Sequence, residues 1–270
     1  MLFKNIVLGQ YLPVKSPIHQ LDPRTKFMAV VAIMLLTLAV SNLLIYILLL
    51  SWLGMLVAMA RLPLGLVFRN LRSFIWLFLF TFIIHLFFTE GRTLPFVGLG
   101  TVEGFWRGLF FCVRVAILVL SASMLTLTTS PLELTDGLER LLLPLKWFGL
   151  SPHALALMLV IALRFIPTFI EEANTIQKAQ LARGAIFTGH LLRRARSLVP
   201  LLVPLFLSAF RRADELAVAM EARNYQTDGP RSSFQQLKFS RTDYGSLIFL
   251  AIFFSGCFLA GYWLPVLPGS

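Results

Sequence analysis

FMAVVAIMLLTLAVSNLLIYILLLSWLGMLVAMA, residues 27–60, carries no charged side chain over 34 positions. A single bilayer crossing takes about 20 apolar residues, so the run is too long for one span. Ser41-Asn42, at its centre, is a polar pair suited to a tight turn. The stretch therefore reads as two short spans joined by a turn, and it decides the class of the chain. The rest of the sequence agrees: 57% of residues are hydrophobic and only 14% charged, against about 25% charged in an ordinary soluble domain. Further spans are expected over 73–88, 106–128 and 245–264. The expectation is an all-α polytopic membrane protein with about five transmembrane helices, divided as 1–129, 130–243 and 244–270.

The net charge of +11 is an orientation signal more than a nucleic-acid footprint. With a cytoplasmic N-terminus, the positive-inside rule places 21 of the 24 Lys and Arg residues on the inner side, leaving Arg92, Arg107 and Arg114. Residues 1–26 have scattered charges and no isolated apolar core, unlike a secretory leader. Segment 131–243 holds 14 basic and 10 of the 13 acidic residues, enough to be wet. It also contains two apolar stretches, 153–170 and 198–210, which read either as buried or interfacial helices or as a hairpin through the bilayer.

Punctuation in that segment is helical. Ser130-Pro131-Leu132-Glu133 has the order of a capping box with proline at the first helical position, opening a helix expected over about 132–147. Ser151-Pro152 repeats the start, and a helix from Pro152, kinked at Pro167, is expected to end at Arg183 before Gly184. Another is expected after Ser197 and through to Asn224.

Two helix ends then share one pattern. Ala179-x-x-Ala182-Arg183-Gly184 and Ala219-x-x-Ala222-Arg223-Asn224 each place two alanines three residues apart, on one helix face. Such a patch lets another backbone approach closely, and the guanidinium beside it is a planar fork suited to a carboxylate. The bland alternative is a basic side chain complementing the helix macrodipole, worth about 0.3–1 kcal/mol. The repeat favours a pair of docking pegs.

Three stretches carry a family resemblance. Ile6–Lys26, the run LRFIPTFIEEANTIQKAQLARG over 163–184 and DELAVAMEARNY over 214–225 resemble the transmembrane T component of energy-coupling factor transporters, membrane scaffolds of micronutrient uptake systems. The resemblance implies that 130–243 is a cytoplasmic domain of coupling helices. It further implies that Ala182, Arg183 and Gly184, with Ala222, Arg223 and Asn224, hold two cytoplasmic ABC-type ATPases that bind ATP and Mg2+. A separate membrane protein, the substrate-binding S component, would rest on an apolar face including Leu201, Leu202, Leu205 and Phe206. In that family the second motif has glycine where this chain has Asn224, a residue that also tolerates positive φ. The cap geometry there is the point to check. The chain itself is expected to bind no cofactor, metal or nucleic acid and to lie in the cell membrane.

Other chemistry is thin. No phosphate-loop pattern is present, and His19, His85, His153 and His190 lack metal-ligand spacing. Cys112 and Cys257 lie in apolar runs and read as packed thiols. Asp22-Pro23-Arg24 reads as the cap and start of the first span. Arg114, inside a span, is expected to snorkel or to meet a carbonyl. The alternative function is an integral-membrane transferase for lipid or isoprenoid substrates. Its only adjacent acid pairs, Glu171-Glu172 and Asp214-Glu215, diverge on a helix. A permease that forms the pathway itself would need a polar surface among the spans, which this sequence lacks.

Overall fold

The computed structural model describes residues 11–92, 100–149, 151–185, 191–225 and 239–263. Their regular structure is helical: α1 (Pro23–Ala39), α2 (Leu43–Met59), α3 (Leu64–Ser73), α4 (Ile75–Phe88), α5 (Val102–Thr128), α6 (Pro131–Leu141), α7 (Pro152–Ala182), α8 (Leu191–Ala222) and α9 (Arg241–Trp263). The chain divides into two compact units, Leu142–Gln236 on one hand and Gly9–Leu141 with Leu237–Ser270 on the other.

Several helices begin where a side chain satisfies their first free N–H groups. Asp22 accepts from the Arg24 amide at 2.9 Å, and Asn42 from the Leu44 amide at 3.0 Å, turning α1 into α2. Ser130 and Glu133 form the reciprocal capping box, each at 3.2 Å, and Ser151 caps α7.

Helices α5 and α9 reach spanning length singly, and α3 with α4 does so as a pair bent by 52°. Both α1 and α2 have 17 residues, about 26 Å of rise, against a hydrocarbon core of about 30 Å. Helix α7, at 31 residues, is also long and apolar enough to cross by length and composition.

Two boundaries depart from expectation. The helix expected over 132–147 stops at Leu141 and gives way to a 3-10 segment, Leu143–Phe148. Pro144 explains this, because it lacks an N–H and disfavours the α conformation in the residue before it. The helix expected after Ser197 begins at Leu191 instead and continues through Pro200 and Pro204.

The membrane unit packs α1, α2, α5 and α9 around Ile33, Tyr46, Leu49, Leu53 and Ile117, each 2% exposed or less. Tyr46 stacks on Phe110 at 4.6 Å. Helices α4 and α5 meet through Gly104 and Gly108. A methyl at Gly104 would strike the backbone carbonyls of His85 and Leu86, and one at Gly108 would reach the Phe82 ring at 3.0 Å. This small-xxx-small spacing brings two apolar helices together without a hydrophobic driving force.

Polar groups close the membrane unit where α1 starts. Asp243 is 1% exposed; its two carboxylate oxygens accept from the amides of Asp22 and Ser240, both at 2.8 Å. The Lys26 ammonium donates to the carbonyls of His19 and Thr128, both at 3.0 Å. Gly137 on α6 lies against Pro23, where an added methyl would come within 3.1 Å. Asp22 and Pro23 thus have the expected capping role, and Arg24 lies over the Phe239 ring at 5.2 Å.

Arg114 meets carbonyls, one of the two outcomes expected for it. Its Nε donates to the Thr37 carbonyl at 3.1 Å and the Tyr46 hydroxyl at 2.9 Å, and its Nη2 to the Leu38 carbonyl at 3.2 Å. It therefore satisfies the last turn of α1, where a cation also complements the dipole. Its role is to fasten the hairpin.

Candidate docking site

Helix α7 changes character along its length. Pro152–Ile170 is apolar apart from His153, Arg164 and Thr168, whereas Glu171, Glu172, Asn174, Thr175, Gln177, Lys178 and Gln180 crowd its final turns. The twelve residues from Glu171 to Ala182 span about 18 Å. Arg183 therefore lies well beyond the apolar part of the helix. In α8, the apolar stretch 198–210 is followed by Arg211, Arg212, Asp214 and Glu215 before the second motif.

Both helices end in the same backbone geometry. At the first, the Gly184 amide donates to the Leu181 carbonyl and the Ala185 amide to the Gln180 carbonyl, both at 3.0 Å. At the second, the Asn224 amide donates to the Glu221 carbonyl at 2.9 Å and the Tyr225 amide to the Met220 carbonyl at 3.0 Å. These paired bonds form the Schellman arrangement, which needs a left-handed residue just past the helix. Gly184 supplies it with φ of +86°, and Asn224 with φ of +53°. Asparagine thus makes the same cap as glycine.

Around each cap the predicted peg is laid open. Ala179, Ala182, Arg183 and Gly184 are all exposed, as are Ala219, Ala222, Arg223 and Asn224. Among the described residues neither Arg183 nor Arg223 is paired with a carboxylate of this chain. Among the described residues no acceptor takes up either fork of donors, and a charge-assisted bidentate bond with an external carboxylate or phosphate is the chemistry such a fork performs best.

The two helices are tied to each other upstream of their ends. Arg212 on α8 pairs with Glu172 on α7 at 3.2 Å, and its guanidinium lies 6.0 Å from the centre of the Phe169 ring. Glu172 stood out in the sequence only as half of an acid pair; nothing there indicated a partner 40 residues away.

The apolar face on α8 is only partly as expected. Leu202 and Phe206 are 49% and 61% exposed and Leu205 is half-buried, but Leu201 is 2% exposed and so unavailable to a partner. Neighbouring Val199, Val203, Leu207 and Phe210 are all more than half exposed, and sequence periodicity would have found them. Among the described residues no three His, Cys, Asp or Glu side chains converge as a metal site. His190 lies outside the described residues.

The comparisons accord with a transport subunit embedded in a membrane. A family model described as cobalt transport protein (CbiQ) matches residues 14–235. The energy-coupling factor transporter transmembrane protein EcfT of Heliobacterium modesticaldum is 47% identical over 250 residues, 90% of this chain and 92% of its own length. Those of Thermosediminibacter oceani and Bacillus subtilis are 44% and 42% identical, over 91% and 93% of this chain and 94% and 96% of theirs. The chain belongs to this family, the transmembrane T components of energy-coupling factor transporters.

Proposed function

We propose that the chain transmits ATP-driven motion from two cytoplasmic ABC-type ATPases to a membrane-embedded substrate-binding S component. The ATP and Mg2+ belong to those ATPases, and the chain itself is non-catalytic. Arg183 and Arg223 each enter an acidic cleft on one ATPase, while Ala179-Ala182 and Ala219-Ala222 allow its backbone close approach. The observation that carries this reading is the pair of matching helix ends, each offering an exposed arginine unpaired among the described residues.

Closure of the ATPases on ATP would displace the ends of α7 and α8. The Glu172–Arg212 pair makes the two helices respond together near those ends. Leu202, Leu205 and Phe206 would hold the S component, which selects a vitamin or other micronutrient, a transition-metal ion included. Work is transmitted only if the nucleotide-bound and nucleotide-free states present different surfaces to that partner. In this reading residues 130–243 form the cytoplasmic coupling domain, and the N-terminus lies on the same side.

Arg183→Glu combined with Arg223→Glu tests the proposal. Recovery of both ATPases with the tagged chain should be lost while membrane insertion is unchanged. Undiminished recovery of both overturns the assignment.

A further inference from the structure

A cavity of about 340 Å³ lies inside the membrane unit, walled by α1, α2, α5 and α9. Its walls include Val30, Leu53, Leu56, Met124 and Leu250, and its surface is almost wholly apolar. The lining residues most exposed to the outside are Met55 and Met59 on α2 and Phe249 on α9, at 61%, 43% and 55%. The open side therefore lies between two apolar helices of a membrane protein and is continuous with the surface that faces lipid. Water gains little in such a space, because it would find few of the two to four polar partners it needs.

The cavity has one polar end. Thr25, in the first turn of α1, is 1% exposed, lines the cavity, and its hydroxyl has no hydrogen-bond partner among the described residues. A buried hydroxyl without a partner is unusual, since most such groups are satisfied. Lys26, beside it in the lining, spends two N–H groups on the His19 and Thr128 carbonyls, leaving the third of an ammonium's three donors. Two donors at the start of a membrane helix, above an apolar chamber open to the bilayer, match an ester carbonyl followed by a hydrocarbon chain.

We propose that this cavity binds one acyl chain of a bilayer phospholipid, entering between α2 and α9 with its ester carbonyl accepting from Thr25 and Lys26. The bound chain completes the packing of α1, α2, α5 and α9. This role is independent of the docking arginines.

The test uses the full-length chain in nanodiscs of phosphatidylethanolamine and phosphatidylglycerol, with a diazirine in the phosphatidylglycerol acyl chain, and maps labelled residues by mass spectrometry. Met124 and Leu53, 7% and 1% exposed, should be labelled alongside Leu79 and Phe88, at 50% and 84%. Ala29→Phe, which fills the chamber, should lower labelling of Met124 and Leu53 at least fivefold and leave Leu79 and Phe88 unchanged. Thr25→Val, close in shape and a safeguard should the larger residue prevent folding, should lower it two- to threefold. The proposal is overturned if Leu79 and Phe88 are labelled while Met124 and Leu53 are not, or if neither substitution reduces their labelling. It is equally overturned if a free diazirine fatty acid labels Met124 in preference to the phospholipid.

Discussion

Lys26 and Arg183 are both cations at a helix terminus, and the chain treats them in opposite ways. Lys26 is 6% exposed and committed to two carbonyls, within a polar closure that also holds Asp22 and Asp243. Arg183 is exposed and without a carboxylate partner among the described residues, as is Arg223. A buried charge must be compensated inside the molecule. An exposed one left unpaired retains its donors for something else. The first arrangement fixes a fold; the second suits an interface.

If that contrast is right, substitutions should separate cleanly into losses of association and losses of stability. The largest effect is expected from the double charge reversal at Arg183 and Arg223, with association falling at least a hundredfold and the thermal unfolding midpoint unmoved. Either reversal alone should weaken transport less than both together, which uptake by reconstituted complexes measures. Asp243→Ala should do the reverse. The buried Asp22 amide loses its acceptor at about 1–3 kcal/mol and the partly exposed Ser240 amide loses its own, so the detergent-solubilised protein should unfold earlier or fail to accumulate. Gly104→Val should act in the same direction by about 2 kcal/mol or more, because α4 and α5 must separate to admit it; a fluorescence melt would read this.

Smaller effects sharpen the comparison. Asn224→Val places a β-branched residue at positive φ, costing about 1–2 kcal/mol at that helix end, whereas Asn224→Gly should be neutral or slightly stabilising. Binding of one ATPase should suffer in the first variant and not in the second. The least effect concerns pH. Burial, and then the neighbouring Lys26 ammonium, hold the His19 imidazole below its usual 6.5. Folded His19 thus takes up a proton less readily than unfolded His19. Stability should decline as pH falls through about 6.5 and below, and His19→Gln should flatten that dependence in a pH series of melts.

Much of the local structure was legible because its causes are local. Asp22, Ser130 with Glu133, and Ser151 announce helix starts, and Ser41-Asn42 a turn, by chemistry that operates within three residues. The Ala-Arg ends could be found by spacing alone, and Asn224 could be expected to tolerate positive φ. Contacts across long separations were not legible. Asp243 bonds an amide 221 positions away, Arg114 fastens a helix end 77 away, and Arg212 finds Glu172 40 away. Composition offers no hint of such pairings, since each depends on how helices pack. Leu201 shows the same limit: its neighbours are exposed, and only packing reveals that it is not. The Gly104-x-x-x-Gly108 spacing was visible in the sequence but needed the opposing helix to acquire meaning.

The matched Schellman ends have a consequence for whatever reads them. Under the proposed docking role, two ends cut to one backbone template would suit two copies of one socket, and receiving proteins need not have diverged for each to find a place. Beyond the capping residue itself, Gly184 or Asn224, the two ends differ one residue past the left-handed turn, where the first end has Ala185 and the second Tyr225. A receptor pair that must distinguish left from right has a methyl and a phenol by which to do so, and exchanging those two side chains would scramble the seating without touching either arginine.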